Sequence, residues 1–371
     1  MNSNRIRSLG IPVGGMQTGR LNKITDVPGV KVGHATVDTD RQKTGVTVII
    51  PAEGNIYKYP LTAACHVING FGKSAGLMQV QELGILETPI ALTGTLNVGK
   101  VHNALVSYTV EVCRRDGKSC RSVNPVVGET NDGSLSCNQD RPSGEAEVFA
   151  AIDAATEDFA EGDVGAGKGT VCFGLKGGIG SASRVMEIGG KTYTLGVLVQ
   201  SNFGCIEEMR VDGLPVGRAI ADMMEEERAA AVTGQDDIGS IMIIVATDLP
   251  VSELQLTRIL RRATVGLART GSHIGHGSGD VVIGFTTANR RGDDRGGEIR
   301  RIEILNDGKL ENAFRAVAEC TEEAIYNSMV AADTVTGLNS REERKTVRAL
   351  NEFWPEALRR AKVKTDAVGR V

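Results

Sequence analysis

Gly239 and Ser240 stand where a polar turn, Gln235-Asp236-Asp237-Ile238, meets an apolar run from Ile241 to Thr247. A serine at the head of a buried strand, behind a glycine, is a candidate nucleophile made by cutting the chain. Glycine reaches backbone conformations closed to other residues, so the bond ahead of the serine can be held strained against the hydroxyl. An N→O acyl shift followed by ester hydrolysis then frees the Ser240 α-amine. With a reference pKa of about 7.7–8.0, that amine can act as base for its own hydroxyl. The dipeptide also occurs at Gly133-Ser134, Gly180-Ser181, Gly271-Ser272 and Gly277-Ser278, where it is ordinary turn chemistry. The surroundings must decide.

Two further segments carry suitable groups. Gly277-Ser278-Gly279-Asp280 precedes the strand-like Val281–Phe285. In extended chain i and i+2 share a face, so Ser278 and Asp280 can form a polar relay beside a nucleophile. Gly128-Glu129-Thr130-Asn131-Asp132-Gly133 follows the apolar Pro125-Val126-Val127. A carboxylate at that strand end can anchor a substrate ammonium, and an Asx turn is the competing reading. Other motifs fall short. The Gly162–Thr170 stretch has P-loop spacing, but Gly169 stands where a magnesium-binding hydroxyl is needed. It reads better as a Gly-rich site loop continuing through Lys176-Gly177-Gly178-Ile179-Gly180. His273, His276 and Asp280 match a metal site only loosely, and neither metal nor cofactor is expected. His34, His66 and His102 read as structural.

The elements that must position these groups alternate along the chain. Strands are expected at Gly45–Pro51, Tyr193–Gln200, after Ser240 and at Val281–Phe285, apolar without clean alternation, as in sheets covered on both faces. Helices are expected over Leu214–Ala231, from a Ser252/Gln255 capping box to about Ala268, over an amphipathic Leu310–Ala331, and over Arg341–Lys362 with an interruption at Pro355. No repeat or linker divides the 371 residues, so one layered α/β unit is expected. A net charge of −4 and 4% aromatic content argue against nucleic-acid binding. Seven scattered cysteines without a C-x-x-C pair point to a reducing cytoplasm. No signal peptide or membrane-spanning run is read.

Taken together, the motifs resemble those of the self-processing aminopeptidases that include L-aminopeptidase/D-amidase-esterase and the β-peptidyl aminopeptidases. The resemblance spans nearly the whole chain, through Leu21–His34, Gly45-Val46-Thr47, Gly70–Lys73, Glu87–Ile90, Val127–Gly133, Lys176–Gly180, Gly239-Ser240, Gly266–Gly271 and His276–Asp280. It implies an α/β (α+β) four-layer αββα sandwich, similar to ornithine acetyltransferase and resembling N-terminal-nucleophile hydrolases. Cleavage between Gly239 and Ser240 would give chains 1–239 and 240–371, associated as a homo-oligomer, a homotetramer of cleaved pairs. Carried over by motif, Ser240 is the nucleophile, Ser278 and Asp280 support it, Asn202 stabilises the oxyanion, and Glu129 with Asn131 binds the substrate. The implied substrates are small peptides, amides or esters with a free amine. Family members can place an oxyanion-assisting tyrosine near Glu129. The stretch from Glu129 to Asp140 has none, which leaves two readings: Asn131 or Ser134 replaces it, or the second donor is missing. Two alternatives stay open: acyl transfer to an amine acceptor, and an uncleaved, non-catalytic relative.

Overall fold

The computed structural model describes residues 5–227, 239–290, 299 and 301–368. Residues 235–238 of the candidate turn and 228–231 of the first expected helix lie outside them. In chain order the first strands are β1 (Lys31–Asp38), β2 (Lys43–Ile50), β3 (Leu61–Gly70), β4 (Ile85–Leu86), β5 (Ile90–Gly94) and β6 (Val126–Thr130). Then come the short β7 (Val171–Cys172) and β8 (Leu175–Lys176), followed by β9 (Gly178–Ile188) and β10 (Lys191–Asn202). The last are β11 (Ser240–Thr247), β12 (Gly279–Thr286), β13 (Val335–Leu338) and β14 (Arg344–Val347). The helices are α1 (Leu77–Leu83), α2 (Val98–Arg115), α3 (Glu145–Asp153), α4 (Val216–Glu227), α5 (Glu253–Leu260), α6 (Ala263–Arg269), α7 (Glu311–Val330) and α8 (Glu356–Val368).

Two sheets carry the architecture, one of four strands in the order β1-β2-β5-β6 and one of six in the order β4-β3-β12-β11-β10-β9. Their facing sides share one apolar core, with Val32, Ile49, Leu92 and Val126 against Leu198, Met242, Ile244 and Ile283. On the outer face of the larger sheet, Ile241, Ile243, Val245 and Val282 pack on Leu256, Ile259, Leu267 and Val317 of α5, α6 and α7. On the outer face of the smaller, Val46, Val48 and Ala91 pack on Val101, Leu105 and Val148 of α2 and α3. The result is the expected αββα sandwich. Strands β11 and β12 are buried along their full length, which explains their lack of polar alternation.

Three helix expectations need correction. The capping box at Ser252 closes in both directions, by Gln255 N–H to Ser252 Oγ at 3.2 Å and Ser252 N–H to Gln255 Oε1 at 3.3 Å. Its helix stops at Leu260, however, and α6 restarts at Ala263, because α5 packs on β3 and β12 while α6 turns onto α7. The α7 helix is buried nearly all round from Ala316 to Val330. Its Glu319 and Glu323 are paired with the buried Arg184 at 2.9 and 2.7 Å, so its polar side faces protein, not water. The stretch from Arg341 begins not as helix but as the turn and strand of a β13–β14 hairpin, whose Val335 and Val347 cover Leu135. Helix α8 starts only after Pro355.

Candidate active site

Ser240 opens β11 with Asn202 as its antiparallel partner on β10 and Gly279 as its parallel partner on β12. Its hydroxyl donates to Gly239 O at 2.6 Å and accepts the Gly279 N–H at 3.2 Å. The same Gly279 N–H lies 3.1 Å from Gly239 O. A serine hydroxyl and a backbone donor therefore converge on the carbonyl of the bond that precedes the serine. Only glycine fits at 239, because a Cβ there would come within 2.3 Å of Phe203 Cα and 2.6 Å of Asn202 O.

Ser278 donates to Asp280 Oδ1 at 2.6 Å, both side chains being buried. Strand pleating sets Asp280 on the face of β12 opposite to the one Gly279 shares with Ser240, and Ser278 stands just ahead of the strand. Consistent with that parity, Val281 and Ile283 join the core between the sheets and Val282 the helix-facing core. The pair flanks the Gly279 backbone in sequence, with the Asp280 side chain on the side of the sheet away from the Ser240 hydroxyl.

Glu129, near the end of β6, is only 2% exposed. Its Oε1 accepts the Lys73 N–H at 2.7 Å and its Oε2 the Thr95 hydroxyl. A Cβ on Gly128 would meet Met242 Sδ at 2.8 Å, so β6 lies tight against β11 two residues beyond Ser240. Gly72 fills the gap between Glu129 and the start of β12, the strand beside the nucleophile: a Cβ on it would fall 3.6 Å from both Glu129 Oε1 and Gly279 Cα.

Asn202, at the end of β10, accepts the Val171 N–H on Oδ1 at 2.9 Å, which turns its amide donors the other way. It borders a cavity of about 590 Å³, which Asn131 and Ser134 also line. Asn131 Oδ1 is taken by Gly133 N–H (3.0 Å) and Asn138 Nδ2 (3.1 Å), so its donor end is likewise free to turn outward.

Two buried charges escaped the sequence reading. Lys176 donates to Gly167 O, Thr170 O and Gly177 O at 2.9, 2.8 and 2.8 Å. Burial without a paired carboxylate pulls its ammonium down to about 7. It ties together the Gly-rich loop that ends at Val171, and so holds the N–H that orients Asn202. Asp132 is buried with both oxygens lacking a geometric hydrogen bond, the nearby Thr44 hydroxyl being too loosely placed to close one. Burial, with Glu129 adding to it, pushes its carboxyl up to about 6. A lysine in a glycine run between apolar strands was the available signal for the first, and the second carboxylate of Glu129–Asp132 for the other.

The decoys have other partners. Lys168 pairs with Asp163 and Asp38 at 2.9 and 2.8 Å. His273 Nδ1 lies 2.8 Å from Glu208. His34 bridges Thr47 and Ala160 O, and burial lowers it to about 4.

The model of peptidase family S58 matches residues 22–343. The chain is 40% identical over 352 residues to a β-peptidyl aminopeptidase, BapA, of Sphingosinicella microcystinivorans, covering 90% of this chain and 87% of the relative. A β-aminopeptidase structure from a Burkholderia species superposes with a TM-score of 0.83 at 40% identity, over 96% of this chain and 99% of that one. The L-aminopeptidase D-Ala-esterase/amidase of Ochrobactrum anthropi, described as a prototype serine aminopeptidase with a variant Ntn-hydrolase fold, gives 0.86 at 34% identity over 98% and 99%. Fold and likeness together define a hydrolase of the aminopeptidase class, built as an αββα sandwich of the Ntn type. The chain belongs to peptidase family S58.

Proposed function

We propose that the chain cleaves itself between Gly239 and Ser240, and that the freed Ser240 then releases N-terminal amino acids from small peptides, amides or esters. The observation that carries this reading is the convergence of Ser240 Oγ and the Gly279 N–H on Gly239 O. In processing, Oγ adds to the Gly239 carbonyl carbon while Gly279 N–H stabilises the oxyanion. The C–N bond breaks, the amine takes the proton, and water hydrolyses the resulting ester. Chains 1–239 and 240–371 stay joined by the shared sheet, since β10 and β11 pair across the cut.

In turnover, the substrate ammonium docks at Glu129 and its first carbonyl meets Ser240. The new α-amine takes the hydroxyl proton, and the Ser278–Asp280 pair, across the Gly279 backbone, orients that amine. Asn202 holds the oxyanion, with Asn131 or Ser134, which line the same cavity, to supply a second donor in place of a tyrosine. The amine or alcohol departs and water resolves the acyl-enzyme. No helix among the described residues is long and apolar enough to cross a membrane. A cytoplasmic location fits seven free cysteines. A homo-oligomer fits the exposed apolar Val67, Phe71, Met78, Leu83 and Leu254, gathered where α1 and α5 meet β3. Replacing Ser240 by alanine tests the core of the reading: the variant should remain uncut and inactive on an aminoacyl p-nitroanilide, and wild-type turnover by it would refute the mechanism.

A further inference from the structure

The cavity beside Asn202 has a use that the proposed cycle leaves open. In the larger sheet the order is β3-β12-β11-β10. Glu129 lies toward the β12 side, with Gly72 between its Oε1 and Gly279, the strand partner of Ser240. The cavity lies on the β10 side, bordered by Asn202, Phe203 and Gly204. A substrate with its ammonium at Glu129 and its carbonyl over Ser240 therefore continues into this cavity with its leaving group.

The far wall comes from the β13–β14 hairpin, which contributes Arg341 from its turn and Lys345 from β14. None of the residues lining the cavity is acidic. Neither cation has an ion-pair partner among the described residues, and the neighbouring carboxylates are engaged elsewhere. Glu342 is drawn to Arg41 at 3.0 Å, and Glu343 Oε2 accepts from Asn339 Nδ2 at 2.9 Å. The turn is also fixed in place: Ser340 N–H donates to Gly133 O at 2.8 Å, and Asn339 Oδ1 accepts the N–H groups of Arg341 and Glu343 at 2.8 and 3.0 Å. It is thereby pinned to the loop that follows Glu129. A cavity of about 590 Å³ is of the size that holds a small ligand, not a folded chain.

We infer that this cavity is the leaving-group site and that Arg341 and Lys345 select a carboxylate there, the free C-terminus of a short peptide. The inference rests on the aminopeptidase reading for the direction in which the substrate lies. It makes the enzyme one that consumes peptides of two or three residues with both termini free.

The test compares L-alanyl-L-alanine and β-alanyl-L-alanine as free acids with their C-terminal amides, on wild-type protein, the R341A/K345A double variant and the charge-reversed R341E/K345E. Two exposed charge pairs are expected to give the free acid about a 5-fold advantage in kcat/KM at low ionic strength, most of it in KM and shrinking in 0.5 M NaCl. The advantage should vanish in the alanine variant and invert in the reversed one, an inversion that structural damage does not produce. An alanyl-aspartic acid α-amide separates the sources of charge: hydrolysis like that of the alanyl-alanine amide assigns selection to the α-carboxylate, and preference for it over that amide assigns selection to any carboxylate. A wild-type acid-to-amide ratio of one, or a ratio unmoved by charge reversal, overturns the inference. Calorimetric binding of the same acid and amide reads the cavity independently of turnover. Carboxylate-dependent binding without hydrolysis would sink the aminopeptidase reading alone, and its absence would sink this one.

Discussion

The two ends of the cleft are built differently. At the amine end Glu129 is 2% exposed, tied by the Lys73 N–H and the Thr95 hydroxyl, and backed by the unsatisfied carboxylate of Asp132. At the proposed leaving-group end Arg341, in the hairpin turn, and Lys345, on β14, stand exposed. A charge in a dry, low-dielectric setting acts strongly and resists screening, while exposed charges contribute little and fade with salt. On the proposed reading the buried end decides whether a molecule is a substrate, and the exposed end grades one substrate against another. Ser240 and Asn202 lie between the two, on adjacent strands whose register fixes their separation.

Substitutions that break this gradient should fall in order. Ser240→Ala is expected to remove turnover by about 10⁴-fold or more, as loss of a nucleophile does elsewhere, and to leave the chain intact on a denaturing gel. Asn202→Ala should lower kcat by about 10²–10³ with little change in KM, measured on an aminoacyl p-nitroanilide. An equal loss in KM would make Asn202 a binding group. Glu129→Gln keeps the shape and can still meet Lys73 and Thr95, so its effect should appear in KM, by about 10²-fold for free-amine substrates. An N-acetylated ester that loses as much would count against the ammonium anchor.

The smallest effect is on stability. Burial raises the Asp132 carboxyl to about 6, above its unfolded value of about 3.9. Between those values the folded state binds more protons, so the Asp132 contribution is fully present below about pH 4 and is lost as pH rises through 6. Asp132→Asn should remove that slope and make the protein more stable than wild type above pH 6, on the order of 2 kcal/mol. Urea melts at pH 4 and pH 8 would read the difference. Identical curves would mean that the loop relaxes to solvate the carboxylate.

How much of this was legible in the sequence differs by residue. Ser240 at a strand head and Glu129 at a strand end announce themselves, because a polar residue abutting an apolar run is a local signal. The mutual contact of Ser278 and Asp280 follows from i, i+2 spacing. The placement of Asp280 on the face opposite the Ser240 hydroxyl does not, because it depends on the register of β11 against β12. Asn202 came from motif resemblance, with no local feature beyond a strand end. Lys176 and Asp132 acquire their character only from burial by remote segments. The hairpin was lost for a related reason: Arg341–Lys362 is rich in helix-favouring charged residues, and only its pairing with Val335–Leu338 holds Arg344–Val347 as a strand. The layered fold was the easiest to read, since β11 and β12 are buried on both faces and look it.

The most direct test of the central claim is an intact-mass spectrum of the purified protein under denaturing conditions. Self-processing requires two species, of about 25 and 14 kDa when the 39.3 kDa chain is divided by residue count at Gly239–Ser240, the smaller one beginning Ser240-Ile241-Met242. A single uncut chain that nonetheless hydrolyses aminoacyl substrates would contradict it, because no α-amine would then exist on Ser240 to act as the base.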